Sequence, residues 1–557
     1  MSQKVIVTTA LPYANGPAHI GHIAGAYLPA DIYVRFRRWV SPQDEIIMIG
    51  GTDEHGVPIT LKAEAEGLTP QETVDKYHKV IEDSFEAFGI HHDNFSGTAR
   101  PEHIKISQEF FEKAKQEAYL FQKAEKQMYC TGCNHFLPDR YIEGTCHHCG
   151  AAGARGDQCD ACGKLIDAEK LIDPVCKFCG GTKLEEKESQ HWFLDLPKLQ
   201  PEITKWIESK EGQWKPNVYS TVRKKWLEED LQPRCITRDL NWGVPVPGEE
   251  GKVLYVWFDA PIGYISSTAE YFKAKGTPER TDEFWKDPST ELIHFIGKDN
   301  IVFHTITWPG VLMSHGGDYI LPTNVPANEF LNLEGQKLST SKNHAIWAHE
   351  VVNNIDSELL RYYLATIMPE NNDSDFTWDG FELAINELSG TFGNMANRYL
   401  TFNNKKFEGK VLSDTSLRTE EDLEFISEIR SLAQASKEKV LEYKFRDGLF
   451  DIMSIARASN KYMDTQAPWK MIKEDEVRTQ VILACLFESL VMLSQMLKAF
   501  MPKTATKLEN YLNISPLSFE EIIDYTLPTD HTISADIDIL IQRPEEGIIE
   551  AEKEKLA

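Results

Sequence analysis

A chain of 557 residues, 41% hydrophobic and 26% charged, is too long for one hydrophobic core and should divide into several packed units of ordinary globular composition. Its 59 Lys and Arg against 86 Asp and Glu give a formal charge of −27, which excludes a protein that coats nucleic acid through a general positive field. Any nucleic-acid contact must be local, at patches such as "RFRRW" (35–39), "RKKW" (223–226) or "NNKK" (403–406).

The first predicted element is a strand in "KVIVTTA", whose β-branched run suits a buried parallel sheet. A leader segment would need a cationic start, which this stretch lacks, so the expected location is cytoplasmic. A turn, "LPYANGP", follows, and then helical spacing from "HIGHIAGAYLPADIYVRFRRWV". His19 and His22 therefore sit at a strand-to-helix crossover, where free backbone donors and the helix dipole favour an anion. Three residues apart, they share one side of the first turn, and Gly21 between them leaves room for a ligand against the backbone. "DEIIMIGGTDEHG" (44–56) reads as a strand running into an acidic turn.

Eight of the ten cysteines then fall into four CxxC pairs: Cys130/Cys133, Cys146/Cys149, Cys159/Cys162 and Cys176/Cys179. Two CxxC turns supply the four thiolates of a closed tetrahedral zinc site, so two structural zinc ions are expected. Disulfides are disfavoured without a secretion signal, and a redox motif needs one such pair rather than four. Spacing alone leaves open which pairs share a metal.

Beyond the cysteines, "VLYVWFDAPIGYI" (253–265) and "ELIHFIGKDNIVFH" (291–304) read as two further strands with polar ends. In an open α/β sheet ligands gather at such carboxyl ends. "LEGQKLSTSKN" (333–343) is a loop whose lysines and hydroxyls could close over a polyphosphate. From about residue 385 the pattern is helical and predicts a bundle, with the apolar 481–501 segment as its buried helix because Glu488, Gln495 and Lys498 interrupt any membrane span. Asn394 and Arg398 share a helix face there, and Trp469 follows Pro468: an amide, a guanidinium and an indole suited to reading splayed bases. The acidic tail "PEEGIIEAEKEKLA" reads as a linker without a useful apolar face.

"HIGH" and "KLSTS", about three hundred residues apart, resemble the two signatures of class I aminoacyl-tRNA synthetases. With "ALPYANG", "GTDEHG", "YVWFDAPIGY", "FIGKDN", "FHTITWP" and the four CxxC pairs, nearly the whole chain resembles the methionyl-tRNA synthetases. The resemblance implies an α/β enzyme with a Rossmann-like parallel-sheet catalytic domain in two halves (1–115 and 234–325). A connective zinc-binding insertion (116–233) would separate them. A signature-loop and stem-contact region (326–385), a helical anticodon-binding bundle (386–535) and an acidic linker or tail (536–557) would follow. It implies ATP, with Mg²⁺, L-methionine and tRNA(Met) as partners, and a monomer.

By the same resemblance, His19, His22 and Lys337 act on the reacting phosphate, and Arg238 approaches the reacting phosphate or carboxylate. Asn15, Gly21, Gly297, Asp299, Trp308, Ser339, Thr340 and Ser341 meet ATP. Leu11, Tyr13, Trp257, Ala260, Pro261, Tyr264 and His304 form the methionine pocket, and Asp53 pairs with the substrate ammonium. Asn394, Arg398 and Trp469 meet the anticodon. Cys146, Cys149, Cys159 and Cys162 would hold the inner zinc, and Cys130, Cys133, Cys176 and Cys179 the outer one. One departure stands out: the family's second signature is usually KMSKS, and its second lysine is here Thr340, a loss that Lys342 is expected to offset. Two rival readings are another HxGH nucleotidyltransferase that uses no tRNA, and a synthetase-like RNA-binding protein that has lost activation, for which Thr340 is the sole motive.

Overall fold

The computed structural model describes residues 2–556 apart from 138–140, 156–158, 160, 163–165, 167, 229, 341 and 342. Its N-terminal part is built on a five-stranded parallel sheet ordered Ala327–Asn328, Glu291–Gly297, Lys4–Thr9, Glu45–Thr52, Asn94–Gly97. Val5, Ile6 and Val7 of the central strand are fully buried, as a run with both faces covered demands. The chain leaves this strand toward Glu45–Thr52 on one side and rejoins it at Glu291–Gly297 on the other. The strand order thus reverses at Lys4–Thr9, which opens a crevice at the carboxyl ends.

Between the two halves, Leu120–Cys130 pairs antiparallel with Leu184–Leu194 along its whole length, a ribbon carrying the cysteine segment at its tip. The expected strand over 253–265 is corrected. Only Val253–Leu254 is extended; Val256–Asp259 and Gly263–Ala274 are helical, joined by a 3₁₀ turn with Pro261 inside it. A short apolar run buried on every side has no period to separate strand from helix. The 291–304 segment is a strand only to Gly297 and then turns helical.

The second signature begins on a hairpin, Leu331–Leu333 with Gln336–Lys337, backed by Ser374–Phe376. Bundle helices follow, among them Asn394–Phe407, Glu420–Leu441, Phe445–Gln466 and Glu476–Met496. The last has length and apolarity enough for a membrane span, but 94% of its apolar window is buried inside the protein. The tail departs from the expected linker. Ile548–Glu554 is a helix, Ile548 and Ile549 pack on the core, and Glu552 is buried and accepts from Asn354 at 2.7 Å.

"RFRRW" is not a free cationic patch. Arg35 pairs with Asp31, Arg37 with Asp44 and Glu291, and Arg38 with Asp93. Asp31 also receives Arg361, which is fully buried and donates to the carbonyls of Phe88, Ala499 and Phe500 as well. That guanidinium ties the helix Leu28–Val40 to the end of the bundle.

Candidate functional site

At the crevice lies a cavity of about 520 Å³. His19 caps the helix that starts at Ile20; its Nδ1 accepts the Gly21 N–H at 3.1 Å, and the His19 N–H reaches His22 Nδ1 at 3.2 Å. The rings stack with centroids 3.8 Å apart. Because each Nδ1 accepts, each neutral ring carries its proton on Nε2, so both present N–H donors. Burial lowers both imidazole pKa values, His22 to about 4, and they stay uncharged at neutral pH. A Cβ on Gly21 would stand 2.5 Å from Leu338 Cδ1 and 3.0 Å from the His19 ring, so a side chain here would push Leu338 of the second signature aside.

The signatures are also joined by backbone. His19 pairs with Trp347 across an antiparallel bridge, with Ile20 N to Ile346 O at 3.0 Å and Ala348 N to Ala18 O at 2.9 Å. Lys337 lines the cavity, and the Thr340 methyl lies 3.9 Å from where a Gly16 Cβ would stand. Ser339 pairs with His344 through both backbone bonds. Ser341 and Lys342, the latter expected to offset Thr340, lie outside the described residues.

Of the expected methionine pocket, Leu11, Tyr13, Asp53, Trp257, Ala260, Pro261, Tyr264 and His304 all line this cavity, as do Gly297 and Asp299. Tyr264 Oη and His304 Nε2 are 2.8 Å apart, and His304 Nδ1 is 3.0 Å from the Asn300 carbonyl. The carbonyl only accepts, so His304 donates from Nδ1 and receives the Tyr264 proton at Nε2. Burial holds His304 to about 4, so the pair is neutral. Trp257 stacks flat on Phe303 at 3.7 Å, which fixes the aromatic wall. Asp53 is buried, and desolvation together with the nearby Asp259 carboxylate pushes its pKa well above the usual range.

Two helical irregularities shape the walls. Ile23–Tyr27 and Phe303–Thr307 are π-turns, the first contributing Gly25, Ala26 and Tyr27 to the lining and the second His304. Sequence reasoning missed Tyr27, Asn300, Glu329, Phe330, Asn332 and Leu338, all on the wall. Tyr27, Asn300 and Leu338 lie inside the motif stretches 19–40, 295–300 and 337–341, whereas Glu329, Phe330 and Asn332 come from a stretch no motif marks.

Five residues expected at this site, among the described ones, are not on this wall: Ser339 and Thr340 of the second signature, and Trp308, Arg238 and Asn15. Trp308 is fully buried and packs edge-on behind Tyr264, with centroids 6.5 Å apart, so it backs the pocket instead of lining it. Arg238 lines a smaller neighbouring cavity of about 120 Å³, which shares Tyr13 and Trp257, and stacks on Tyr255 at 3.9 Å. Asn15 is half-buried in the turn before His19.

The cysteines form two groups, Cys130, Cys133, Cys176 and Cys179, and Cys146, Cys149, Cys159 and Cys162, with all Sγ atoms in each within 4.8 Å of one another. Pairs such as Cys130/Cys179 at 3.6 Å and Cys149/Cys159 at 3.7 Å match the edge of a tetrahedron with metal–sulfur bonds of about 2.3 Å, roughly 3.8 Å. Gly150 and Gly180, each following its CxxC, take positive φ of 73° and 65° and turn the chain back over the thiolates. The donor chemistry and the spacing fit zinc in both.

In the bundle, Asn394, Arg398 and Trp469 line one cleft of about 590 Å³ with Lys405, Asn460 and Pro468. Arg398 lies over the Trp469 ring at 4.9 Å and pairs with Asp464 at 3.0 Å. Trp469 is 39% exposed. Lys405 is the one member of the "NNKK" patch on this cleft. Of "RKKW", Arg223 pairs with Glu208 at 3.6 Å.

Comparison with known proteins bears on the whole chain. Residues 5–400 match the family model for class I tRNA synthetases (M), and 413–534 match that for the anticodon binding domain of methionyl tRNA ligase. The chain is 45% identical to a methionine–tRNA ligase of Parabacteroides distasonis, across all of this chain and 81% of the relative. It is 44% identical to one from Pyrococcus furiosus, over 95% of this chain and 74% of that one. The fold superposes on a Mycobacterium tuberculosis methionyl-tRNA synthetase in complex with methionyl-adenylate with a TM-score of 0.80 at 22% identity, covering 97% of this chain and 100% of the other.

Proposed function

The chain belongs to the methionyl-tRNA synthetase family of class I, and from that membership and the crevice geometry we propose how it works as a methionine–tRNA ligase. The enzyme joins methionine to ATP as methionyl-adenylate and then transfers methionine to tRNA. The observation that carries the mechanism is the pair of neutral imidazoles, each with Nδ1 occupied by a backbone N–H.

Asp53 receives the substrate ammonium and ionises as the cation arrives. Leu11, Tyr13, Trp257, Ala260, Pro261 and Tyr264 enclose the thioether chain with aromatic and apolar surface. The Tyr264–His304 bond occupies the Tyr264 proton, so the pocket presents no unpaired donor from that pair to the sulfur. Asn15, Gly297, Asp299, Ser339, Thr340 and Ser341 belong to the nucleotide side, with Mg²⁺ entering as counter-ion of the ATP phosphates. The methionine carboxylate oxygen attacks the α-phosphorus, the bond to the bridging oxygen breaks, and pyrophosphate leaves. His19 and His22 donate Nε2–H bonds to the charge that grows on the α-phosphate, and Lys337 and Lys342 steady the departing pyrophosphate. No protein group takes a proton in this step; the work is positioning and electrostatics.

The terminal ribose hydroxyl of tRNA then attacks the carbonyl carbon, the bond from that carbon to the phosphate oxygen breaks, and AMP leaves, its phosphate taking the hydroxyl proton. Asn394, Arg398 and Trp469 read the anticodon at a distance from the chemistry, the Cys₄ groups each hold one zinc as a structural clamp on the insertion, and the protein acts as a cytoplasmic monomer. The test separates the two ends. Trp469→Ala should lower kcat/KM for tRNA(Met) by about 5- to 150-fold, the loss of one base stack, with methionine-dependent pyrophosphate exchange unchanged. Equal loss in both assays would contradict the separation.

A further inference from the structure

Behind the methionine cavity lie His55, His103 and Asp259, exposed by 3%, 0% and 0%. Their ligand atoms cluster within 4.8 Å, yet the geometry is that of hydrogen bonding. His55 Nδ1 is 2.7 Å from Asp259 Oδ2, whereas two ligands of a tetrahedral ion at about 2.0 Å stand roughly 3.3 Å apart. His103 has both nitrogens engaged, Nδ1 with Ser266 at 3.1 Å and Nε2 with Ser107 at 3.1 Å, and its Nε2 is 3.9 Å from Asp259. Asp259 Oδ1 has no hydrogen-bond partner among the described residues. A fully buried carboxylate with a bare oxygen is costly and calls for a reason.

The reason lies in what His55 joins. Its backbone N–H donates to Asp53 Oδ1 at 3.3 Å, while its ring donates to Asp259. Asp53 is pinned from the other side by backbone bonds, Asp53 N to Pro12 O at 2.8 Å and Ala14 N to Asp53 O at 2.9 Å. Asp259 ends the helix Val256–Asp259, which carries Trp257 and leads directly into Ala260 and Pro261. His55 therefore bridges the carboxylate meant for the ammonium and the wall meant for the side chain.

We propose that His55 and Asp259 form a positioning dyad that sets the spacing between the ammonium and thioether subsites, with the Asp259 charge adding to the pull on the ammonium. This rests on the ligase reading above. The charged and titratable groups that face Asp53 are Glu54 from its own turn, Asp259 from the helix Val256–Asp259 and Tyr264 from the helix Gly263–Ala274. His55 and His103 in turn face Asp259.

Three variants separate geometry from charge, each checked by thermal melting and by KM for ATP. His55→Leu should weaken inhibition by L-methioninol, which keeps the ammonium, about tenfold (1.4 kcal/mol), with the desamino analogue affected by less than about twofold. His55→Asn, whose amide nitrogen falls near the Nδ1 position, should restore methioninol to within about threefold, a partial recovery of that bond. Asp259→Asn keeps an acceptor for His55 and removes the charge, so the acid limb of the methionine KM profile should move to lower pH. Equal weakening of both inhibitors, or an acid limb that stays in place in Asp259→Asn, would overturn the dyad. The second readout stands even where His55→Leu fails to fold. If the unaltered protein shows no methionine-dependent exchange, the ligase reading itself falls; normal exchange with unmoved variants removes the dyad alone.

Discussion

His19 and His22 show how a residue's function is fixed by which of its atoms are already occupied. With both Nδ1 atoms taken by backbone donors, the rings have Nε2–H to offer and burial keeps them neutral. His22→Ala should therefore lower the activation rate by about 10²- to 10³-fold, the usual loss for one such donor, with methionine affinity nearly unchanged, as single-turnover adenylate formation would show. Asp53 gives a pH prediction with a definite sign. Only the ionised carboxylate pairs with the ammonium, and its pKa is raised by burial and Asp259, so KM for methionine should climb as pH falls, starting above the ordinary carboxylate range. An acid limb confined near pH 4, the range of an unperturbed carboxylate, would contradict that. Single residues with strong chemistry were legible in the sequence: the histidines, the cysteines and the aromatic pocket residues carry their motifs with them. Trp308 shows the limit. Its motif places it near the pocket, but whether an indole faces the cavity or stands behind Tyr264 depends on packing that no spacing encodes.

At the scale of elements, regular segments with a clear period were legible and apolar runs without one were not. The strand Lys4–Thr9 and the long bundle helices follow their patterns, while 253–265 reads as strand and folds as helix. The tail fails for the opposite reason: a few apolar residues, Ile548 and Ile549, suffice to dock a short acidic helix when a partner surface exists. The two Cys₄ groups are nested, the inner on the 146–162 segment and the outer joining 130–133 to 176–179 at the end of the ribbon. Cys130→Ser should therefore remove one zinc per chain by metal analysis and leave the other bound. Loss of both ions, or of neither, would contradict two separate sites. The departure at Thr340 sits on the hairpin side of the crevice near Gly16, where Thr340→Lys should raise the activation rate if the missing cation limits it.

For the whole molecule, a net charge of −27 and a tRNA substrate are reconciled by placement. Most cations of the early basic run are spent in ion pairs within the fold, and the bundle cleft offers Arg398, Lys405 and Trp469 at one point. Distant parts are tied by a single buried guanidinium, Arg361, shared among Asp31 and the carbonyls of Phe88, Ala499 and Phe500. Such a link is invisible in sequence, because its partners lie in three separate segments. The central claim is that the crevice selects methionine and activates it with ATP before any tRNA arrives. The most direct measurement is exchange of labelled pyrophosphate into ATP, with Mg²⁺ and without tRNA, across all twenty amino acids. Exchange with methionine alone is the predicted result; exchange driven by a different amino acid, or by none, would contradict the account.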